Sequence, residues 1–123
     1  MAHILVIDDE EAFREALGKI LARAGHRVTL AANGKEGIAS VANEHPDLVI
    51  TDIFMPEKDG IEVTIMLRHT HPAIKVIAVS GGGRRSNFDF LETASQLGAH
   101  AALHKPLRMK ELLETVDHVL AGR

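Results

Sequence analysis

The sequence predicts an α/β domain, a parallel β-sheet with helices on both faces. Two observations carry this. Short β-rich apolar runs alternate five times with segments of helical period, and βα alternation in short units builds parallel sheets. Acids, a serine and a lysine then stand at the ends of the runs, where open α/β sheets place their ligands. The 123 residues suit one such domain.

His3-Ile4-Leu5-Val6-Ile7 is a compact apolar run, the pattern of a strand buried on both faces. Phe13, Leu17, Ile20, Leu21 and Ala24 then recur at helical spacing until Gly25 stops the helix. Arg27 to Ala31 is a weaker strand, expected near the sheet edge. Gly34 to Glu44 is a short helix with Ile38, Val41 and Ala42 on one face. His45-Pro46 ends it, because a residue before proline disfavours the right-handed α region. Leu48 to Thr51 is the third strand. Asp52 to Gly60 is a loop with Met55-Pro56 and Asp59-Gly60 turn chemistry. A helix over Ile61 to His69 closes at His71-Pro72, and Ile74 to Val79 is the fourth strand. Ser80-Gly81-Gly82-Gly83 is a loop, followed by a helix from Asn87 to Leu97. Ala99 to Leu103 is a fifth strand poor in bulk. Leu107 to Leu120 is the last helix, with Leu112, Leu113, Val116 and Val119 in its apolar stripe. Linkers, low-complexity segments and internal repeats are absent, so the reading is one domain over 1–123.

Composition narrows the function. With 46% hydrophobic and 25% charged residues the chain can bury a core. A net charge of −3 offers no basic footprint, so direct DNA binding by this domain is not expected. The lack of cysteine excludes disulfides, thiolate metal sites and thiol catalysis. No apolar run approaches the roughly 20 residues of a membrane span. Met1-Ala2-His3 leads directly into a strand without a basic n-region, so the expectation is a cytoplasmic protein with no membrane partner. The eight histidines lack the helical spacing of a zinc motif and read mostly as surface residues.

The residues at the strand ends are Asp8-Asp9, Asp52, Ser80 and Lys105, following strands one, three, four and five. A parallel sheet delivers them all to one edge. Carboxylates gathered there repel one another and raise each other's pKa. A hard divalent cation such as magnesium, which takes carboxylate, water and phosphate oxygens, relieves the repulsion. A carboxylate nucleophile, a cation, an ammonium and a hydroxyl are together the parts of phosphoryl transfer to an aspartate. Taken singly, each piece also has a structural explanation. Asp8-Asp9 before a helix can be an N-cap, and Asp8 with Glu11 has capping-box spacing. Ser80 before three glycines can be loop, and Lys105-Pro106 a solvated lysine before a turn. Their order after four different strands favours the chemical reading.

Ile7-Asp8-Asp9-Glu10, Thr51-Asp52-Ile53-Phe54-Met55-Pro56, Asp59-Gly60, Val79-Ser80-Gly81, Gly98-Ala99 and Leu103-His104-Lys105-Pro106 resemble the signature set of response-regulator receiver domains of two-component systems, the CheY-like superfamily. The resemblance spans essentially the whole chain. It implies a flavodoxin-like, doubly wound (βα)5 fold with a five-stranded parallel sheet in the order 2-1-3-4-5. It implies Asp52 as phosphoacceptor, supplied by a histidine kinase, a phosphotransfer protein or a small donor such as acetyl phosphate. It implies magnesium held by Asp9 directly, Asp8 through water, Asp52 and the backbone carbonyl of Phe54. Lys105 would pair with the phosphoryl oxygens, Ser80 would hydrogen-bond one of them, and the Lys105-Pro106 bond would be cis. Such a domain catalyses its own phosphorylation and dephosphorylation but is not otherwise an enzyme. The loop and helix after strand four would change the binding of a downstream protein target, and phosphorylation could also drive dimerisation.

The chain departs from the family at Ala102, where receivers usually carry Tyr or Phe, so the common aromatic switch cannot operate in its usual form. Phe88 or Phe90 is a candidate substitute. Phe54 could shield an acyl phosphate from water, Arg84-Arg85 forms a local positive patch, and His104 stands beside Lys105. Three rival readings fit worse. A receiver-like binding module that is never phosphorylated has only Ala102 in its favour. A haloacid-dehalogenase-type phosphatase needs a second Asp where this chain has Phe54. Gly81-Gly82-Gly83 lacks the lysine followed by Ser or Thr of a P-loop. The chain is read as a stand-alone receiver or as a fragment of a larger regulator.

Overall fold

The computed structural model describes residues 2–53, 60–80 and 95–122. Five parallel strands, β1 (His3–Ile7), β2 (Arg27–Ala31), β3 (Leu48–Asp52), β4 (Lys75–Ser80) and β5 (Ala101–His104), form one sheet in the order β2-β1-β3-β4-β5. The described helices are α1 (Glu11–Arg23), α2 (Gly34–Glu44), α3 (Gly60–Thr70) and α4 (Met109–Leu120). Residues 95–97 are also helical; residues 87–94 of the helix expected over Asn87 to Leu97 lie outside the described residues.

The central strands are buried almost throughout because helices cover both faces, and successive side chains alternate between the two. Ile4, Val6, Ile50 and Val79 face α1 and α4, packing with Leu17, Leu21, Leu112 and Val116. Leu5, Ile7, Val49 and Val76 face the other way, toward Val41 of α2 and Val63 and Leu67 of α3. β2 lies at one edge, as its weaker pattern suggests, and Leu30 on it is an exposed large apolar residue.

The element limits differ from the sequence reading where prolines and turns intervene. β5 begins at Ala101 rather than Ala99, because Gly98 turns at φ +103° and the His100 N–H first bonds the Val76 carbonyl at 2.7 Å. α4 begins at Met109 rather than Leu107, because Arg108 is extended at φ −92°, ψ 136° and serves as the N-cap. Leu107 then stands where a hydrophobic staple to Leu112 belongs, and both join the α1–α4 face of the core. His45 does end α2, in the left-handed region at φ 50°. The chain crosses the sheet in opposite directions from β1, to β2 on one side and to β3 on the other. The crevice at that reversal lies between the ends of β1 and β3.

Candidate functional site

β1 delivers Asp8 into this crevice. Its N–H continues the β1–β2 ladder to the Ala31 carbonyl at 3.1 Å, and the residue is only 1% exposed. Asp8 Oδ1 accepts the Glu10 N–H at 2.8 Å, and the Asp8 carbonyl accepts from Arg14 Nη1 at 2.8 Å. This is a local turn and not the capping box its spacing with Glu11 allows. Glu10 is the N-cap residue of α1, and its side chain makes no cap bond. Asp9 is exposed beside it.

β3 ends on Asp52, 4% exposed and in register with Val79. α3 starts hard against this strand end. A side chain at Gly60 would overlap the Asp52 carbonyl oxygen, so only glycine admits the helix there. β4 ends on Ser80, also buried, whose carbonyl accepts the Lys105 N–H at 3.0 Å. The ladder thus places Lys105 one step past the Ser80–His104 pair, and the Lys105–Pro106 bond is cis, as the resemblance implied.

The side chain of Lys105 joins the site. Its Nζ lies 2.9 Å from Asp8 Oδ2, 2.8 Å from Glu10 Oε1 and 3.5 Å from Asp52 Oδ2, and 4.0 Å from the centroid of the Phe13 ring. Burial alone would lower the pKa of Lys105. The hydrogen bonds to Glu10 and Asp8 and the charges of Asp52 and Asp8 outweigh it, and the ammonium is held above its ordinary pKa. Lys105 in turn holds the Glu10 carboxyl below its ordinary value, by hydrogen bond and by charge. Asp8 Oδ2 is fully buried, and at 2.9 Å the Lys105 ammonium is the counter-charge it faces.

The carboxylates of Asp8, Asp9 and Asp52 each place an oxygen within 4.8 Å of the others. Like charges this close, two of them buried, are costly without a cation. The donor set is all hard oxygen, and Asp8 Oδ2 retains coordinating capacity. This set fits magnesium and suits softer metals poorly.

The structure therefore brings together Asp8, Asp9, Asp52, Ser80 and Lys105. Phe54, whose carbonyl completes the expected ligand set, lies outside the described residues, as do Gly81–Gly83, Arg84, Arg85, Phe88 and Phe90. His104 is half-buried beside the site. Ala102 is half-buried in register with Ala78 and packs with Ile53, a cluster of small and aliphatic side chains. Two residues of the site were not assigned to it from sequence. Glu10 belonged to the quoted motif without a role, and Phe13 read as helix core. Their separation of three residues, one helical turn, is the signal that puts both on one side of the start of α1.

An open parallel α/β sheet with acids at its switch point and a lysine beyond its last strand defines a narrow class of protein. The model of the response regulator receiver domain family matches residues 4–117. Response regulator MprA of Mycolicibacterium vanbaalenii is 36% identical over 117 residues, covering 95% of this chain and 49% of that protein. The DNA-binding transcriptional regulator NtrC of Azospirillum brasilense is 34% identical over 119 residues, covering 97% of this chain and 24% of that protein. Among solved structures, a CheY-like response regulator receiver domain protein from Methanospirillum hungatei superposes with a TM-score of 0.90 at 30% identity, covering 99% of this chain and 95% of that one. The receiver domain of NtrX from Brucella abortus gives 0.90 at 28% identity, covering 98% and 99%. The chain belongs to the response regulator receiver domain family, signalling domains of two-component systems. It spans about half the length of the MprA regulators it matches.

Proposed function

We propose that this chain is a phosphorylation-dependent switch in which Asp52 accepts a phosphoryl group from a histidine kinase, a phosphotransfer protein or a small donor. The observation that carries this reading is the convergence of Asp8, Asp52 and Lys105 in one buried crevice from three separate strand ends. A carboxylate oxygen of Asp52 forms a bond to phosphorus. The bond from phosphorus to the donor's imidazole nitrogen, or to the acyl oxygen of acetyl phosphate, breaks, and its electron pair leaves with the donor. Lys105 already stands at the Asp52 oxygen and offsets charge on the equatorial phosphoryl oxygens. Ser80, buried at the next strand end, donates its hydroxyl to one of them. Asp8, Asp9 and Asp52, with the Phe54 carbonyl, would hold magnesium. When bound, it neutralises the crowded carboxylates and the incoming phosphoryl oxygens. Water attack on the same phosphorus releases inorganic phosphate and restores the Asp52 carboxylate, which makes the signal timed. The aspartyl phosphate carries about −1.5 to −2 charge where the carboxylate carried a single one, and it brings new acceptor oxygens; this is the input that changes partner binding. The downstream target is a protein, and the setting is the cytoplasm.

The test is intact mass after incubation with acetyl phosphate and magnesium. A gain of one phosphoryl mass is expected, absent in Asp52→Asn and in a chelated sample. No gain, with beryllofluoride also failing to bind, replaces this reading with that of a binding module that is never phosphorylated.

A further inference from the structure

Lys105 is already surrounded by acids before any phosphoryl group arrives. An ammonium has three N–H donors. Here three carboxylates surround it, and the Phe13 ring covers a further side. A phosphoryl group on Asp52 brings acceptor oxygens that must take a donor from one of the present partners. The partners differ greatly in what release costs them. Asp8 is 1% exposed, and removing its counter-charge strands a buried anion. Glu10 is 65% exposed, so its carboxylate can return to water with little loss. Phe13 offers no hydrogen bond to exchange and remains as the surface over which the ammonium moves. Glu10 is also free to move in a second sense: its side chain plays no part in capping α1.

We propose that Glu10 is a positioning residue that parks Lys105 in the unmodified domain and is displaced when a phosphoryl group occupies Asp52. This rests on the phosphoacceptor reading above and adds a competitor to it. Glu10 and the phosphoryl oxygens contend for the same ammonium donor, so Glu10 raises the threshold for modification. Phe13 keeps the ammonium within reach of both positions.

Beryllofluoride with magnesium is the probe, titrated by NMR into wild type, Glu10→Gln, Glu11→Gln and Asp52→Asn. Glu11→Gln removes the same charge one residue away and serves as the control for general electrostatics. Wild type binds and Asp52→Asn does not, and Glu10→Gln binds about two- to fivefold more tightly than wild type while Glu11→Gln matches wild type. In the unliganded protein, a lysine-15N spectrum shows the Lys105 ammonium protected from exchange with water in wild type and exposed to it in Glu10→Gln. Equal shifts in the two glutamine variants, or a Lys105 signal unchanged in Glu10→Gln, overturn the parking role and leave the phosphoacceptor standing. Failure of wild type itself to bind overturns both.

Discussion

At the amino ends of the strands, polar groups are matched one to another. Asp47 accepts the His3 N–H at 2.8 Å, and its own N–H returns a bond to the His3 carbonyl at 2.8 Å. Thr29 donates to Glu44 at 2.7 Å, and His3 Nε2 lies 2.8 Å from that hydroxyl and 3.2 Å from the carboxylate. His100 Nδ1 accepts the Val76 N–H at 3.1 Å. At the carboxyl ends, Asp8, Glu10 and Asp52 crowd one lysine, and Asp9 adds another acid to the cluster. The first edge is built from local pairs that hold the strands in place. The second keeps an excess of negative charge in a buried crevice, an arrangement that costs stability and suits a bound cation. Substitutions at the two edges should therefore differ in kind as well as in size.

The largest effects belong to the carboxyl edge. Asp52→Asn should abolish phosphoryl uptake by intact mass. In magnesium-free buffer it should stabilise the fold by about 1 kcal/mol in chemical denaturation, since it removes one of the repelling charges. A destabilised variant would show that Asp52 serves the fold as the amino-edge groups do. Lys105→Met leaves the buried acids without their ammonium and should cost about 3 kcal/mol, measured the same way. Added magnesium should recover more stability in that variant than in wild type.

Magnesium alone gives the next contrast. At about a hundredfold above its dissociation constant it should stabilise wild type by about 2.7 kcal/mol, through linkage to the folded state. Asp9→Asn should lose most of this gain. Asp47→Ala, which removes a pair at the opposite edge, should lose about 1 kcal/mol of stability and leave the magnesium gain unchanged. A magnesium gain that fell in Asp47→Ala would join the two edges in one cooperative unit.

The smallest effect is a pH slope at the amino edge. Burial, then the charges of Arg68 and Lys75, hold the His100 pKa below its ordinary 6.5. Below that value the unfolded chain takes up a proton that the folded chain resists. The contribution of His100 is therefore complete above 6.5 and is lost as the pH falls toward the depressed folded value. His100→Asn keeps an acceptor for the Val76 N–H without a titrating group. Its stability should fall less between neutral and mildly acid pH, and an unchanged slope would assign the acid sensitivity to other groups.

Much of this was legible in the chain because it depends on local pattern. Runs such as Ile4–Ile7 and Leu48–Ile50 are apolar at every position because the strands are covered on both faces, and their limits hold to within two residues. A chemically active residue at the end of such a run has to emerge at the carboxyl edge, so Asp8, Asp52, Ser80 and Lys105 could be grouped without knowing a single distance. The order of the strands came from the resemblance to a family, since hydrophobic period does not say which strand lies beside which.

The pairing inside the group belongs to the tertiary structure. Glu10 and Lys105 are 95 residues apart, and Asp52 and Lys105 are 53 apart. Sequence determined which residues reach the crevice, because strand period and βα alternation are short-range consequences of the backbone. Which carboxylate the lysine touches, and which partner is exposed enough to let it go, follows from how the β1 end, the first turn of α1 and the residue after β5 pack together. That depends on distances of a few ångströms between segments remote in the chain, for which no local pattern stands.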